Sequence, residues 1–380
     1  MALQSNPFSG SNASSSTTKL FNRVGHVELD FGSDSASGQS GKLISFKGLD
    51  FKFRVSKVCP DYPKGFAEVS ILGLSQETMN RITELTTMDQ AMSHKKRVRV
   101  FAGYAKDNDP DYDGELICDM DIVYATPTTM PPEVWLTVTA GIRIQDKYES
   151  ISIDLPDRQS IKEKIVTRRN IGFDFMKEIY PLKNFCKDIV RIVNEEYKKM
   201  AEGNGGSTYE LELDFQADDY EDMNITQFNH SGTVSELIKK LNDLDPQKML
   251  KFYIDNRKDE KKDFLVVKAK AAVDESGNSG QKMKTTNLQY LDVKHGLIGL
   301  PSLVQGNNLR CRSLLSPNLK MLDWVKMEST IIPKMNGYWQ INEVTHNGHF
   351  RGNEWYTDIV AFDPTKCQMQ GTAGMVMANE

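Results

Sequence analysis

His346 and His349 stand in H-x-x-H spacing, with Asn347-Gly348 between them. On a helix, H-E-x-x-H places two imidazoles on one face to hold zinc and adds a carboxylate as general base. That Glu is missing here. Asn-Gly between the alternating runs WQINEVTH and HFRG reads instead as a hairpin turn. The two histidines are expected to satisfy local backbone beside that turn, and no metal is assigned.

The second chemical candidate is the acidic run Glu210, Glu212, Asp214, Asp218, Asp219, Glu221 and Asp222. A calcium loop sets oxygen ligands at regular spacing around a central Gly, and the run has none. A solvated face is the reading taken. Two carboxylates can meet from any two segments, so spacing alone leaves a sugar-cleaving pair open. The nucleophile motifs G-x-S-x-G, the P-loop and G-x-G-x-x-G are absent. Cys59, Cys118, Cys186, Cys311 and Cys367 are few, odd in number and widely spaced, with no C-x-x-C pair. They suggest neither a disulfide framework nor zinc, and point to a reducing compartment. Cys59 and Cys311 lie in or beside expected strands, where Cys acts as a small hydrophobe. HKKRVRV at 94–100 is the most basic patch, but it lacks the aromatics of a single-strand binding platform.

Composition agrees with this lack of an active-site signature. The 380 residues carry 47 Lys and Arg against 52 Asp and Glu, a net charge of −5. The molecule as a whole does not advertise the basic face of a nucleic-acid binder. Residues 1–18 and 296–309 are the longest uncharged stretches, and neither supplies the ~20 apolar residues that span a bilayer. The N-terminus lacks the basic and apolar regions of a signal peptide. No cofactor is expected.

The elements that would position any site fall into three blocks. SNPFSGSNASSSTT marks residues 1–22 as a flexible arm. From Val24 to Gly141 the runs HVELDF, LISF, LDFKFRVSKV, FAEVSILGL, KRVRVFAGYA, ELICDMDIVYA and EVWLTVTAG alternate or are β-branched. One helix interrupts them, with Ser75 as N-cap and Met79, Ile82 and Leu85 inward. Seven strands and a helix suggest a small barrel or rolled sheet. The middle is α/β. SISIDL reads as a strand, and Pro181 opens a helix lined by Phe185, Ile189, Ile192 and Met200. The strand TYELELDF follows. Thr233 and Glu236 then cap a helix carrying Leu237, Ile238 and Leu241, before the strands MLKFYID and FLVVKAKA. A strand–helix–strand unit thus recurs faintly, near 142–200 and 206–272. From about Tyr290 the chain returns to β sequence.

Residues 295–330 (HGLIGLPSLVQGNNLRCRSLLSPNLKMLDWVKMEST) and 337–362 (GYWQINEVTHNGHFRGNEWYTDIVAF) resemble the baseplate hub proteins of contractile-tailed bacteriophages. The shared features are G-L-I-G-x-P at Gly296–Pro301, L-L-x-P-x-L at Leu314–Leu319, and the hairpin I-x-x-V-x-H-x-G…G-N-E-W-x-T at Ile341–Gly348 and Gly352–Thr357. The match is specific over the last ~90 residues and architectural over the remainder. Met321-Leu322-Asp323 departs from the family, which often has a Gly-containing turn there.

The resemblance implies a mainly β fold with α/β inserts: two tail-tube-like β-barrels, at 23–141 and 286–380, with 142–285 inserted between them. SISIDL is allowed to join the second barrel. It also implies a non-enzymatic trimer that joins a sixfold tail tube to a threefold spike and surrounds the DNA channel. The implied partners are tail tube or tail-tip proteins, a separate spike protein, and wedge and tape-measure proteins, with DNA as non-specific cargo. The implied location is the virion baseplate, assembled in the host cytoplasm. A cell-wall hydrolase of the tail tip is the alternative. Gly296, Gly299 and Pro301 are expected to fix a close backbone approach. Trp339, Trp355 and His346 are the other structural or interface candidates, with packing in the barrel as the plainer role for the tryptophans. DNA slides best past a wall that does not bind phosphate. Glu115, Asp119 and Asp121 are the candidates for an acidic lumen, alternating along one strand with Ile117 breaking the register.

Overall fold

The computed structural model describes residues 22–30, 43–58, 65–83, 97–106, 109, 111–130, 133–141, 151–154, 181–204, 210–223, 225, 228–232, 234–245, 250–256, 262–269, 288–304 and 308–363. The first block supplies β1 (Arg23–Asp30), β2 (Leu43–Lys47), β3 (Phe51–Val58), β4 (Gly65–Leu72), helix α1 (Gln76–Thr83), β5 (Arg97–Tyr104), β6 (Glu115–Met130) and β7 (Glu133–Gly141). The middle supplies β8 (Ile151–Asp154), α2 (Leu182–Asn204), β9 (Glu210–Gln216), β10 (Asn229–Gly232), α3 (Val234–Asn242), β11 (Leu250–Asn256) and β12 (Lys262–Ala269). The last block supplies β13 (Gln289–Leu291), β14 (Leu297–Val304), β15 (Asn308–Leu314), β16 (Trp324–Met327), β17 (Gly337–His349) and β18 (Trp355–Phe362). This is the mainly β fold, with an α/β insert, that the sequence suggested.

Period-two alternation decides which face each strand buries. On β3, Phe51, Phe53 and Val55 point into the core, and Lys52 and Arg54 point away. On β18, Trp355, Thr357, Ile359 and Ala361 are the buried set. The strands of the first and last blocks join in one sheet. Its main path runs β14-β15-β18-β17-β3-β4-β7-β6-β5-β1-β2, with a side branch in which β16 pairs with β17 and β13 with β16. The join is the antiparallel pairing of β17 with β3, from Glu343 opposite Val58 to His349 opposite Lys52. No local signal announces it, because the paired residues lie almost 300 positions apart.

Two expectations change here. β17 runs unbroken through Asn347 and Gly348, and the chain reverses at Phe350–Glu354. Gly348 is selected by packing rather than by a turn: a Cβ there would sit 2.1 Å from Phe53 Cε1. The strand of SISIDL pairs antiparallel with β10 in a separate two-stranded sheet, not with the last block.

Ser75 caps α1 as expected, its Oγ accepting from Thr78 N at 3.2 Å. In the insert, α2 buries Leu182, Phe185, Cys186, Ile189 and Val193, while α3 buries Val234, Leu237, Ile238 and Leu241. Each helix grips a strand through one Asn. Asn194 donates to Leu211 O and accepts from Leu211 N, both at 2.8 Å. Asn242 does the same to Phe252, both at 2.9 Å. An amide side chain that mimics a strand backbone ties each helix to the strand after it. The successions β8–α2–β9 and β10–α3–β11 therefore share a device as well as an order.

The sheet β11-β12-β9 is covered on both faces. Phe252, Ile254, Leu265 and Val267 join the core that includes both helices. Tyr253, Phe264 and Val266 cluster with Met321 of the last block. Lys268 reinforces that contact with an ion pair to Asp323 at 3.0 Å. Leu322, in the turn between them, has φ of 61°, the left-handed conformation a Gly would take easily. The side chain is 1% exposed, its N–H donates to Ile341 O at 2.8 Å, and its carbonyl accepts from Gln340 Nε2 at 3.0 Å. Packing and hydrogen bonds thus hold a non-Gly residue where Gly was expected.

Candidate functional site

The outward face of the sheet across the β3–β17 join carries a set of convergent polar groups. A cleft of about 520 Å³ lies there, lined from β15, β18, β17, β3 and β4. Its charges are Lys52, Arg54 and Arg310 against Glu68, Glu343, Glu354 and Asp358. Three cations thus face four carboxylates. Register explains why they converge: Arg54 lies opposite Glu68 on β4 and Asn347 on β17, and Thr345 lies opposite Ser56 and Asp358.

Several polar groups of this face are tied to a neighbour. Arg312, beside the cleft, donates from Nε and Nη2 to the two oxygens of Asp358 at 2.7 and 3.1 Å, and its guanidinium lies 3.8 Å from the Tyr356 ring centroid. That carboxylate raises the Arg312 pKa. Lys52 Nζ sits 4.2 Å over the Trp135 ring. Ser56 and Thr345 share a hydrogen bond of 3.1 Å across the join, as Ser70 and Thr137 do at 2.9 Å. Such a face is polar and nearly balanced in charge.

The β17–β18 turn closes the join at one end. Asp50 accepts from His349 Nε2 at 3.2 Å and from Arg351 N at 3.1 Å. Arg351 Nη2 donates to Gly48 O at 2.8 Å, and Phe350 N donates to Phe51 O at 2.9 Å. From β1, Arg23 donates to Gly352 O and lies 5.4 Å from the Trp355 ring. Sequence reading missed this clasp. The signal available was Gly348 within an alternating run, with the aromatic strand FKFRV elsewhere to cover it.

The sequence candidates divide. Gly296 has φ of 92° and accepts from Leu314 N at 2.7 Å, and its missing Cβ would meet Leu314 at 3.1 Å. It makes a close approach between backbones. Gly299 has φ of 70° with open space around it, and Pro301 is buried; both lie in the bulge of β14 between Ile298 and Ser302. Trp339 is buried and donates from Nε1 to Met335 O at 3.0 Å. Trp355 is 2% exposed, edge-on to Phe53. His346 is fully buried opposite Val55 rather than beside a turn, and Nδ1 shares a 3.0 Å hydrogen bond with Thr357 Oγ1. Burial, reinforced by Lys57, pushes its pKa down to about 3, so the ring is neutral. The H-x-x-H pair does not converge: in an extended strand, His346 and His349 face opposite sides.

The register changes the shared face expected for Glu115 and Asp119. β6 carries a bulge at Ile117, so Cys118 lies opposite Val100 and Leu116 opposite Phe101. One extra residue reverses the alternation beyond it. Glu115 therefore sits opposite Ala102, on the other side from Asp119. It forms an ion pair with Lys106 at 3.2 Å. Asp119 is 5% exposed and pairs with Arg97, also 5% exposed, and with Arg99 at 3.4 Å. Its charge is thus buried and paired. Asp121 lies opposite Arg97 in backbone register, and its side chain is outside the described residues.

Cys118, Cys186 and Cys311 are buried free thiols whose pKa burial raises to about 12. Cys59, Cys367, the arm up to residue 21, and His94–Lys96 lie outside the described residues. Among the described residues no three His, Cys, Asp or Glu are grouped to hold a metal, and no helix is long and apolar enough to cross a membrane.

The family model for Baseplate hub gp41 matches residues 187–361. It reaches beyond the C-terminal motifs into the insert, bears out the resemblance to baseplate hubs, and supports a tail hub role. No curated protein sequence matches. Among solved structures, the chain is similar to the tail protein from Neisseria meningitidis MC58, at 8% identity and a TM-score of 0.47, over 90% of this chain and 96% of that one. It is similar to the prophage MuSo2 43 kDa tail protein from Shewanella oneidensis, at 10% identity and 0.45, over 90% and 99%. It is also similar to the E. coli c3393 protein, described as a type VI secretion component resembling T4 tail proteins gp27 and gp5, at 10% and 0.44, over 84% and 75%.

Proposed function

We propose that the chain is a structural hub of a bacteriophage tail baseplate, without catalytic activity. Three copies form a ring that joins the sixfold tail tube to the threefold spike around the DNA channel. The observation that carries this reading is the match of residues 187–361 to the baseplate hub model. The geometry supports it: one sheet runs through the first and last blocks, apolar on its core face and polar on the other.

The two blocks, residues 23–141 and 286–380, act as the two tube-like units. Three chains then present six units, which meets a sixfold tube without a symmetry mismatch. The polar face across β3 and β17 is the channel wall, and its near balance of charge, with Asp358 already paired to Arg312, offers no excess of cation to retain DNA. Tube or tail-tip proteins, a separate spike, wedge proteins and the tape measure are the partners, in the virion baseplate.

A threefold-averaged map of the assembled tail tip tests the reading. Three copies are expected, with Arg54 and Glu68 facing the channel. A ring of another order, or those side chains on the outer rim, would overturn it. Native mass measurement with a peptidoglycan-release assay separates the alternative: an active monomer would make the chain a hydrolase.

A further inference from the structure

The main path of the sheet ends at β2 and β14, each with one strand neighbour among the described residues; β13, on the side branch, is a third such strand. Both ends show apolar side chains. Leu43 on β2 is 45% exposed, and Ile298, Leu300 and Leu303 on β14 are 38%, 57% and 48% exposed. β14, LIGLPSLV, contains no charged residue. Charge, Pro and bulges all guard sheet edges. β14 lacks charge, and its bulge and Pro301 lie between Ile298 and Ser302, leaving the segments on either side regular.

The register links the two ends. Ile298 lies opposite Arg312, Arg312 opposite Asp358, Asp358 opposite Thr345, and Thr345 opposite Ser56. The row continues through Phe66, Gly141, Asp121, Arg97 and Asp30 to Leu43. One unbroken row thus crosses all eleven strands of the path and ends on an exposed apolar residue at each side. Every neighbouring pair along the path is antiparallel. Eleven is odd, so β2 and β14 run in the same direction.

We propose that β14 of one copy pairs in parallel with β2 of the next, bringing Ile298 beside Leu43 of that copy and closing the ring as a continuous sheet. Unlike edges of one chain can join only head to tail, and such a contact closes when the rotation per step divides a full turn. Rotation about the ring axis preserves strand direction, which makes this junction parallel where the others are antiparallel. The inference rests on the ring reading above and adds the surface that closes it.

The test is a cross-link in the full chain. Cys59 and Cys367 are changed to Ser; the three described cysteines are buried. Leu43→Cys is combined with Ile298→Cys and treated with a short bis-thiol cross-linker. The expected result is a covalent ladder that stops at three, with little product from either single variant. Leu43→Cys with Leu303→Cys is the control for antiparallel pairing; cross-linking there and not at Ile298 overturns the parallel register. Dimers from Leu43→Cys alone overturn the head-to-tail contact. Ile298→Asp with Leu300→Asp is expected to weaken trimer formation at least tenfold in concentration. A trimer by native mass that survives this change, with no cross-link from either pair, sinks the edge contact and leaves the ring standing. A wild-type chain that stays monomeric at all concentrations removes both.

Discussion

The ring of Phe53 occupies the space where a side chain on Gly348 would be: three of its atoms fall within 3 Å of the missing Cβ. β3 and β17 bring the two residues directly opposite each other. The join between the first and last blocks therefore depends on one hydrogen atom in place of a methyl group.

Gly348→Ala should cost about 1–3 kcal/mol, as overpacking of a filled core does. Phe53→Leu in the same chain should recover part of that loss, since the two changes share a site and will not add. Urea midpoints of the two singles and the double check this; strict additivity would mean that the ring is not what excludes the side chain.

Asp119→Ala leaves Arg97 and Arg99 without the carboxylate that joins them. Removing one partner of a buried pair costs on the order of 3–5 kcal/mol. Asp113→Ala is the contrast, because its partner Lys47 is exposed, and the melting midpoint should hardly move. Equal effects from the two variants would contradict the burial described for Arg97 and Asp119.

His346 titrates at about 3 in the folded chain and near its ordinary value of 6.5 once unfolded. Below about 6.5 the unfolded state takes up a proton that the folded state refuses. Stability therefore falls as pH drops from about 6.5 towards 3. His346→Leu removes this contribution, so its loss of stability between pH 7 and pH 5 should be smaller than that of the parent. Parallel slopes in urea unfolding at the two pH values would refute the assignment.

Leu322→Gly sets two effects against each other. Relief of a left-handed Leu returns roughly 1–2 kcal/mol. Loss of a buried Leu costs about 1.5–3 kcal/mol, and the freer unfolded Gly adds about 0.5–1. Net destabilisation is expected, read as a lower thermal midpoint. A rise in midpoint would show that strain outweighs packing at this turn.

The insert has helix faces and strands of its own. Because β8 pairs with β10, a clean excision begins before Ile151 rather than near residue 160. A chain lacking residues 150–286 is expected to keep its β circular dichroism and to need a polar residue at Met321, which the insert covers. A wholly unfolded product would show that the remaining strands cannot fold without the insert.

Local pattern was enough to read several elements. Alternation in FKFRV and WYTDIVAF set which residues face the core, because side-chain period is a property of each strand alone. Ser75 before an amphipathic run placed a helix start for the same reason, and the helix faces of Phe185, Ile189, Leu237 and Ile238 were legible from their spacing. Motif resemblance in the last ~90 residues pointed to the hub family without any fold. What tertiary structure decided was every relationship that spans distant chain. Asn347-Gly348 carries the same letters in a turn and in a strand, and only Phe53, brought across from β3, explains why Gly is needed. Glu115 and Asp119 were placed on one face by counting in twos, but the bulge at Ile117 reverses the count. The β3–β17 join, the Asp50 clasp and the row from Ile298 to Leu43 are products of pairing between segments far apart in sequence. Their free energy comes from contacts that exist only once the chain has closed on itself.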